Sequence, residues 1–279
     1  KSFPQENTLL SIPAIKKQYV KTKYGESVTP EALITVLKDL NKRFNDNNKV
    51  RDTDRSLFFS GLMIALKNNN FRSTYKSIQA PSKQEVATTK ATVLEAITTE
   101  LESKINSLSK EFSWRDKFSF IKNIDYTLEE YKKIIGIIEE KIFYPFQNEE
   151  KQDILGRAYK IFLSRAGKVD NKNIILTPDH IKELMVRLAR LSVNDVVLDT
   201  CTGSGGFLME AMETMIALAK GDETAITNIK EKQLIGFEID SVLFALACSN
   251  MFLHGDGRTN LLYRSSLLDE TQGGIVNNS

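Results

Sequence analysis

A mostly helical front followed by a doubly wound parallel α/β unit is the fold class this sequence predicts, with the boundary near residues 148/149. Three observations predict it. Of the 14 glycines, only Gly25, Gly61 and Gly136 precede residue 151, so the tight turns of an α/β fold belong to the rear. The stretch Val196–Phe207 runs from a short apolar strand through an acid and a glycine-rich turn into a helix start. That order belongs to folds that hold a nucleotide-like ligand at the carboxyl end of a parallel strand. Finally, strands expected at 195–199, 233–238 and 260–264 alternate with helical patterns.

In the front, residues 1–27 show no clear period and read as an extended lead-in. Thr29-Pro30-Glu31 has the pattern of a helix start: a capping hydroxyl, proline at the first helical position and an acid in the first turn. Leu33, Val36, Leu37, Leu40 and Phe44 follow at helical spacing, and Asn45 to Asn48 ends the run. Thr53 to Lys67 is apolar nearly all round, which predicts the buried centre of the front. Ser82 and Glu85 match a capping box and open a threonine-rich helix to about Leu108. Trp114 to Ile121 reads as a short aromatic helix. Thr127 and Glu130 form another capping box. The helix it opens carries Tyr131, Ile134, Ile135, Ile138 and Ile142 on one stripe and is expected to stop at Pro145. A further helix is expected from about Glu149 to Arg165.

The α/β elements begin after Gly167. A polar loop over 171–175 feeds Ile174-Ile175-Leu176, and Thr177-Pro178-Asp179 starts a helix whose expected core stripe is Ile181, Leu184, Met185 and Leu188. The first strand, the glycine turn and a helix from Phe207 to about Ala219 follow, with Met209, Met212 and Met215 on its core side. Residues 221–231 read as a short helix or loop. After the second strand, Ser241, with Asp240 beside it, caps a helix through Leu253.

Bulk properties exclude several classes. Hydrophobic content of 41% with 27% charged residues marks a folded globular chain. The longest apolar run, Leu57–Leu66, is broken by Ser60 and Gly61 and falls short of the ~20 residues a membrane span needs. No signal-peptide pattern occurs. The only cysteines, Cys201 and Cys248, form neither a disulfide framework nor a metal-ligand spacing, so a reducing cytoplasm and no metal are expected. Residues 1–76 hold 14 Lys and Arg against 7 Asp and Glu, whereas residues 151–279 hold 14 against 16. A basic front suits a polyanion. Arg51, Arg55 and Arg72 are the candidate phosphate contacts, with a solvated basic face as the alternative. Phe58, Phe59, Trp114 and Phe118 read as core rather than base-stacking platforms. His180 reads as a surface residue and His254 as a helix end.

The chemistry gathers at the strand ends. Gly203, Gly205 and Gly206 let backbone approach a ligand closely. The turn presents N–H groups and the positive end of the next helix. A dinucleotide fold would place a third spaced glycine where Leu208 stands. Asp199, at the start of the turn, is awkward for a pyrophosphate and suits a ligand with a cationic end, such as the ammonium of S-adenosylmethionine. Glu238 ends the second strand and can accept both hydroxyls of a ribose. It lies 39 residues after Asp199 rather than the usual ~20, with the 217–231 region as the excess. The hydroxyl of Thr177, beside a helix start, could bind a carboxylate from the other side. Cys201 reads as a small packing residue, since neither histidine stands beside it.

Three segments carry a resemblance: Asn173 to Ile181, Asp199-Thr200-Cys201-Thr202-Gly203-Ser204-Gly205-Gly206-Phe207-Leu208, and Leu234 to Glu238. With Phe244 to Met251 and His254 to Gly257, they resemble the modification (methyltransferase) subunit of type I restriction-modification systems, a DNA adenine-specific methyltransferase family. The resemblance covers about residues 150–270. It implies a Rossmann-like S-adenosylmethionine-dependent methyltransferase fold, first strands only, over 149–279 behind a helical N-terminal domain over 1–148. The implied reaction is direct transfer of the sulfonium methyl group to the exocyclic amine of a flipped adenine in double-stranded DNA. Thr177 would meet the methionine carboxylate. Asp199, Thr200, Cys201, Gly203, Gly205 and Gly206 would hold the methionine end, Glu238 the ribose, and Phe207 and Ile239 would pack on the cofactor. Specificity and restriction subunits are the implied partners.

Two departures from the family pattern stand out. Ser265 occupies the position where the family has an acid that reads the cofactor adenine. No Asn-Pro-Pro-Tyr or Asp-Pro-Pro-Tyr motif occurs, so the target-base half of the site, and any catalytic residue, is absent from these residues. The protein is therefore expected to continue past Ser279. The alternatives are a non-catalytic DNA-binding or scaffold subunit that keeps the fold, a methyltransferase acting on RNA or protein, and a nicotinamide-dependent oxidoreductase. The glycine pattern and the Thr-Pro element argue against the last.

Overall fold

The computed structural model describes residues 29–46, 49–77, 82–104, 112–148, 156, 158, 161–162, 177–255 and 260–267. The lead-in over 1–27, the helix end beyond Lys104, most of the helix expected over 149–165, the loop and apolar residues of 171–176, and Asp256 and Gly257 lie outside the described residues. So does everything after Leu267.

The front forms as its caps dictate. Helix α1 (Pro30–Asn45) starts where the Ala32 N–H donates to Thr29 Oγ1 at 3.3 Å. Helix α2 (Arg55–Lys67) is buried at every position from Arg55 to Leu66, as its all-round apolarity predicts. Helix α3 (Asn69–Thr74) is capped by the Asn68 side chain. Helix α4 (Lys83–Lys104) starts at Ser82, whose hydroxyl accepts from the Glu85 N–H at 3.2 Å. Glu85 Oε2 is buried without a hydrogen-bond partner. The aromatic helix divides into α5 (Trp114–Lys117) and a 3₁₀ turn, Ser119–Asn123. The tighter turn stacks positions three apart, which keeps Phe118 and Ile121 on the same buried side.

Helix α6 (Leu128–Ile138) has both arms of its capping box. It does not stop at Pro145. A π turn, Glu139–Phe143, carries it into α7 (Tyr144–Asn148), where the Tyr144 N–H reaches back to Glu139 O. The missing proline donor falls where the ladder has already widened, so the axis continues.

In the rear, α8 (Asp179–Ala189) precedes β1 (Val197–Asp199), α9 (Gly206–Leu218), α10 (Glu223–Lys232), β2 (Leu234–Glu238), α11 (Ser241–Leu253) and β3 (Asn260–Tyr263). Residues 223–232 are thus helix, started by the Asp222 carboxylate accepting from the Thr224 and Ala225 N–H groups. Asp240, not Ser241, caps α11, accepting from the Val242 and Leu243 N–H groups. The Ser241 hydroxyl instead meets Lys117 Nζ at 2.8 Å. The sheet is parallel in the order β1-β2-β3, with Asp199 level with Gly236 and Glu238 level with Tyr263. All the acid-bearing strand ends therefore emerge on one edge.

Helix α2 packs against both α4 and α11, so a continuous apolar core crosses the 148/149 boundary. Phe112 lies 4.8 Å from Phe244 and 5.2 Å from Tyr263, which ties the front to the β3 side of the sheet. Phe58, Phe59, Trp114, Phe118, Met209, Met212 and Met215 are all buried, as expected.

The stripe expected to bury α8 faces outward instead. Leu184, Met185 and Leu188 are 53%, 54% and 71% exposed, while Lys182 and Val186 are buried against α9. Val196 and Leu198, on one face of β1, are exposed as well. Periodicity identifies an apolar face but not the neighbour that covers it.

The π turn buries one carboxylate. Glu139 is 1% exposed and accepts from the Tyr75 hydroxyl at 2.5 Å, the Tyr144 hydroxyl at 2.9 Å and Lys76 Nζ at 2.6 Å. Burial pushes its carboxyl up, but the Lys76 ammonium and the two hydroxyls outweigh burial and hold it below the usual carboxylate range. A depressed folded pKa contributes stability above the unfolded value of about 4.3, lost as pH falls through the folded one. Glu139→Gln should lower the unfolding free energy near neutral pH by about 1–3 kcal/mol. It should also flatten the acid limb, as read by urea unfolding on either side of that range. An unchanged acid limb would show that this carboxylate is not the group responsible.

Candidate functional site

The site is built where β1 gives way to the glycine turn. Asp199 Oδ1 accepts from the Cys201 N–H at 3.1 Å and folds the chain back on itself. Asp199 Oδ2 is buried and has no hydrogen-bond partner. Burial pushes the Asp199 carboxyl above its usual range, and the single backbone bond only partly opposes it. The edge thus presents a buried acceptor that lacks a donor.

The turn is held from three sides. The Thr202 N–H donates to Phe237 O at 2.9 Å and its hydroxyl to Asp199 O at 3.1 Å. Asn250 Nδ2, from within α11, donates to Ser204 O at 3.1 Å. Glu238 Oε2 accepts from the Gly203 N–H at 2.8 Å, while Oε1 accepts from Ile239 and Asp240 at 2.8 and 2.7 Å. Three backbone donors therefore converge on Glu238. Of its four lone-pair positions, one on Oε2 stays open, room for one ribose hydroxyl rather than two.

Gly203 and Gly205 take φ values of +57° and +87°, where only glycine sits without strain. A Cβ on Gly205 would point at Ala247 of α11, 3.6 Å away, so this glycine serves the turn and its seat on α11. A Cβ on Gly203 would meet nothing within 4 Å, so the turn is open there. On Gly206 it would lie 3.1 Å from Lys182 Nζ, a buried ammonium paired with Asp179 at 2.9 Å.

The other predicted residues fall as follows. Thr200 and Cys201 are exposed in the turn, so Cys201 contributes its backbone rather than packing. Phe207 is half-buried at the start of α9, and Thr177 is half-buried just before α8, which packs on α9. Ile239 is 67% exposed at the end of β2. Ser265 follows β3, and its hydroxyl accepts from the Leu267 N–H at 3.2 Å.

The front cations divide. Arg55 is buried, with its guanidinium on Val50 O, Asn41, Asn45 and Asp52. Arg72 donates to Leu66 O and Asn69. Both brace the front from inside, and Arg51 is exposed. Thr202 and Asn250, which tether the turn, and Lys182, which packs beside Gly206, are residues that sequence reasoning passed over. The legible signal was Asn250: an amide in an otherwise apolar buried helix must find a partner. His180 is exposed and His254 ends α11, as expected, although His254 is buried.

Gly205→Ala should cost about 1–2 kcal/mol of stability through left-handed strain alone. Thermal melting of the ligand-free protein checks this, and an unchanged midpoint would refute the strained-turn assignment.

Comparison with known proteins places this geometry. Residues 150–272 match the family model for N-6 DNA methylase. Over 163 residues the chain is 33% identical to the type II restriction enzyme and methyltransferase RM.BcgI of Heyndrickxia coagulans, covering 57% of this chain and 25% of that protein. A protein from Vibrio vulnificus YJ016, described as a modification subunit of a type I restriction enzyme, superimposes with a TM-score of 0.54. The identity is 20%, over 86% of this chain and 57% of that one, and the likeness shows a shared fold. The chain thus spans a quarter of the length of RM.BcgI and somewhat over half of the Vibrio chain. The segment that carries the sheet, the glycine turn and the acid-tipped strands is thus the one that matches the family model for N-6 DNA methylase, residues 150–272.

Proposed function

We propose that this chain carries the cofactor half of an S-adenosylmethionine-dependent DNA methyltransferase that acts on the exocyclic amine of adenine within a restriction-modification system. The observation that carries the reading is Asp199 Oδ2, a buried acceptor without a donor, set beside a strained glycine turn in the segment that matches the N-6 DNA methylase family model. The residues present fit the cofactor. An ammonium supplies the donor that Asp199 lacks, and the open side of Gly203 admits close approach. Glu238 has one lone pair for a ribose hydroxyl, and Ile239 offers an apolar wall. Thr177 lies ahead of α8 for the carboxylate.

The bound cofactor would supply an activated methyl group. The contribution of these residues is to orient it and exclude water from the methionine end. Double-stranded DNA is the proposed substrate, with Arg51 as a front-side phosphate contact. Specificity and restriction subunits are the proposed partners, and the cytoplasm is the proposed location. No helix among the described residues is long and apolar enough to cross a membrane.

The test is calorimetry with S-adenosylmethionine and with NAD. Binding of the first and not the second is expected, and the reverse would overturn the reading. Asp199→Asn should weaken binding roughly 10- to 150-fold, the loss of a charge-assisted hydrogen bond worth about 1.5–3 kcal/mol. Because burial raises the folded Asp199 pKa, its charged form is disfavoured until the pH rises through that value. Wild-type affinity should therefore fall as pH drops through it, and the asparagine variant should lack that limb.

A further inference from the structure

A trough of about 590 Å³ runs along the first turns of α4 in the helical front. One wall is a single face of α4, where Lys83, Val86, Ala87, Lys90 and Ala91 recur at helical spacing. The other wall is the passage from the 3₁₀ turn into α6, with Lys122, Asp125, Tyr126 and Leu128. From Lys83 to Ala91 the trough is about 12 Å long, roughly two helical turns. None of these residues is among those assigned to S-adenosylmethionine.

The floor of the trough is apolar. Tyr126 and Leu128 are buried, and the Tyr126 hydroxyl is committed to Arg43 O at 3.1 Å, which leaves its ring to the trough. Ala87 and Ala91 are exposed and carry no atom beyond Cβ, so a second chain can come close to α4 there. The rim is cationic. Lys83 and Lys122 are exposed, and Lys90 is half-buried with its Nζ on Lys122 O at 3.4 Å. None of the three ammonium groups has an ion-pair partner among the described residues. Asp125 is the one acid in the lining.

We infer that this trough seats an acidic amphipathic helix of a partner protein. Its apolar side chains, at i, i+3 or i+4 and i+7, would lie on the floor, and its carboxylates would face Lys83, Lys90 and Lys122. Helical form follows from the main chain of the walls, which is already engaged. Ser82 O accepts from the Glu85 and Val86 N–H groups at 3.1 and 3.2 Å, and the Thr127 N–H donates to Glu130 Oε2 at 2.8 Å. An extended peptide finds no ladder there, so the occupant has to satisfy its own backbone, as a helix does. Acidity follows from the three unpaired lysines. Duplex DNA suits the lysines but not the floor, because a phosphate backbone has no apolar face to lay against Leu128 and the two alanines, and Asp125 repels it.

The experiment is fluorescence anisotropy of the chain with a fluorescein-labelled helical peptide that carries leucines at i, i+4 and i+7 and glutamates on either side. A scrambled peptide of the same composition and a labelled DNA duplex are the controls, and circular dichroism checks folding. The ordered peptide should bind about tenfold more tightly than the scrambled one. Ala87→Gln with Ala91→Gln fills the trough without changing charge and should weaken the ordered peptide about tenfold or more. Lys83→Gln with Lys122→Gln should weaken it roughly threefold to tenfold, the scale of two exposed ion pairs, and should flatten its salt dependence. All four positions are exposed, so both variants should fold. No binding of the ordered peptide, equal binding of the scrambled one, or wild-type affinity in the alanine variant overturns the seat. Wild-type affinity in the lysine variant overturns the acidic partner. A duplex that binds more tightly than the ordered peptide, and loses that affinity in the lysine variant, makes the trough a phosphate contact and overturns the inference too.

Discussion

One carboxylate holds the ligand edge together. Glu238 gathers the N–H groups of Gly203, Ile239 and Asp240, and so joins the turn after β1 to the turn after β2. Hydrogen bonds from backbone N–H groups to a charged acceptor are stronger than neutral ones. Without this link the glycine turn would be held only by the Thr202 N–H on Phe237 O and by Asn250 on Ser204 O. The same contact limits chemistry, because three of the four lone-pair positions on Glu238 are taken before any ligand arrives. The acid at the end of β2 is therefore a structural clamp that keeps one lone-pair position open.

Around that clamp, the front and rear behave as one packed body. Helix α2 is buried from Arg55 to Leu66 because it has neighbours on both sides, α4 in the front and α11 in the rear. Helix α11 in turn sends Asn250 to the glycine turn and Phe244 to the aromatic group with Phe112, Trp114 and Tyr263. Packing in the helical front is thereby coupled to the position of the turn. A basic front remains, but Arg55 and Arg72 are used inside it, so its electrostatic face depends on other cations.

Apolar side chains stay open in the rear: Val196, just before β1, Leu198 within it, and Leu184, Met185 and Leu188 of α8 are exposed. Parallel strands are ordinarily buried on both faces. The stripe was legible as apolar from spacing alone, and the expectation that it lay in a core failed because burial is a property of the neighbour, not of the stripe. Pro145 shows the same limit. Its missing N–H was evident, but it falls just after a π turn, whose first residue, Glu139, is buried against two tyrosine hydroxyls.

What the sequence determined by itself is local and covalent. It set helix starts at Thr29, Ser82 and Thr127, the strand–acid–glycine–helix order at Asp199, and the second acid at Glu238, because capping, backbone freedom and strand period are encoded within a few residues. Tertiary structure decided which of these groups keep a lone pair for a ligand. Glu238 proved largely engaged, while Asp199 Oδ2 was left unmet. Whether a polar atom is satisfied depends on what the fold brings within about 3 Å of it. That is settled by strand register and helix packing between residues far apart in sequence, which no local pattern records.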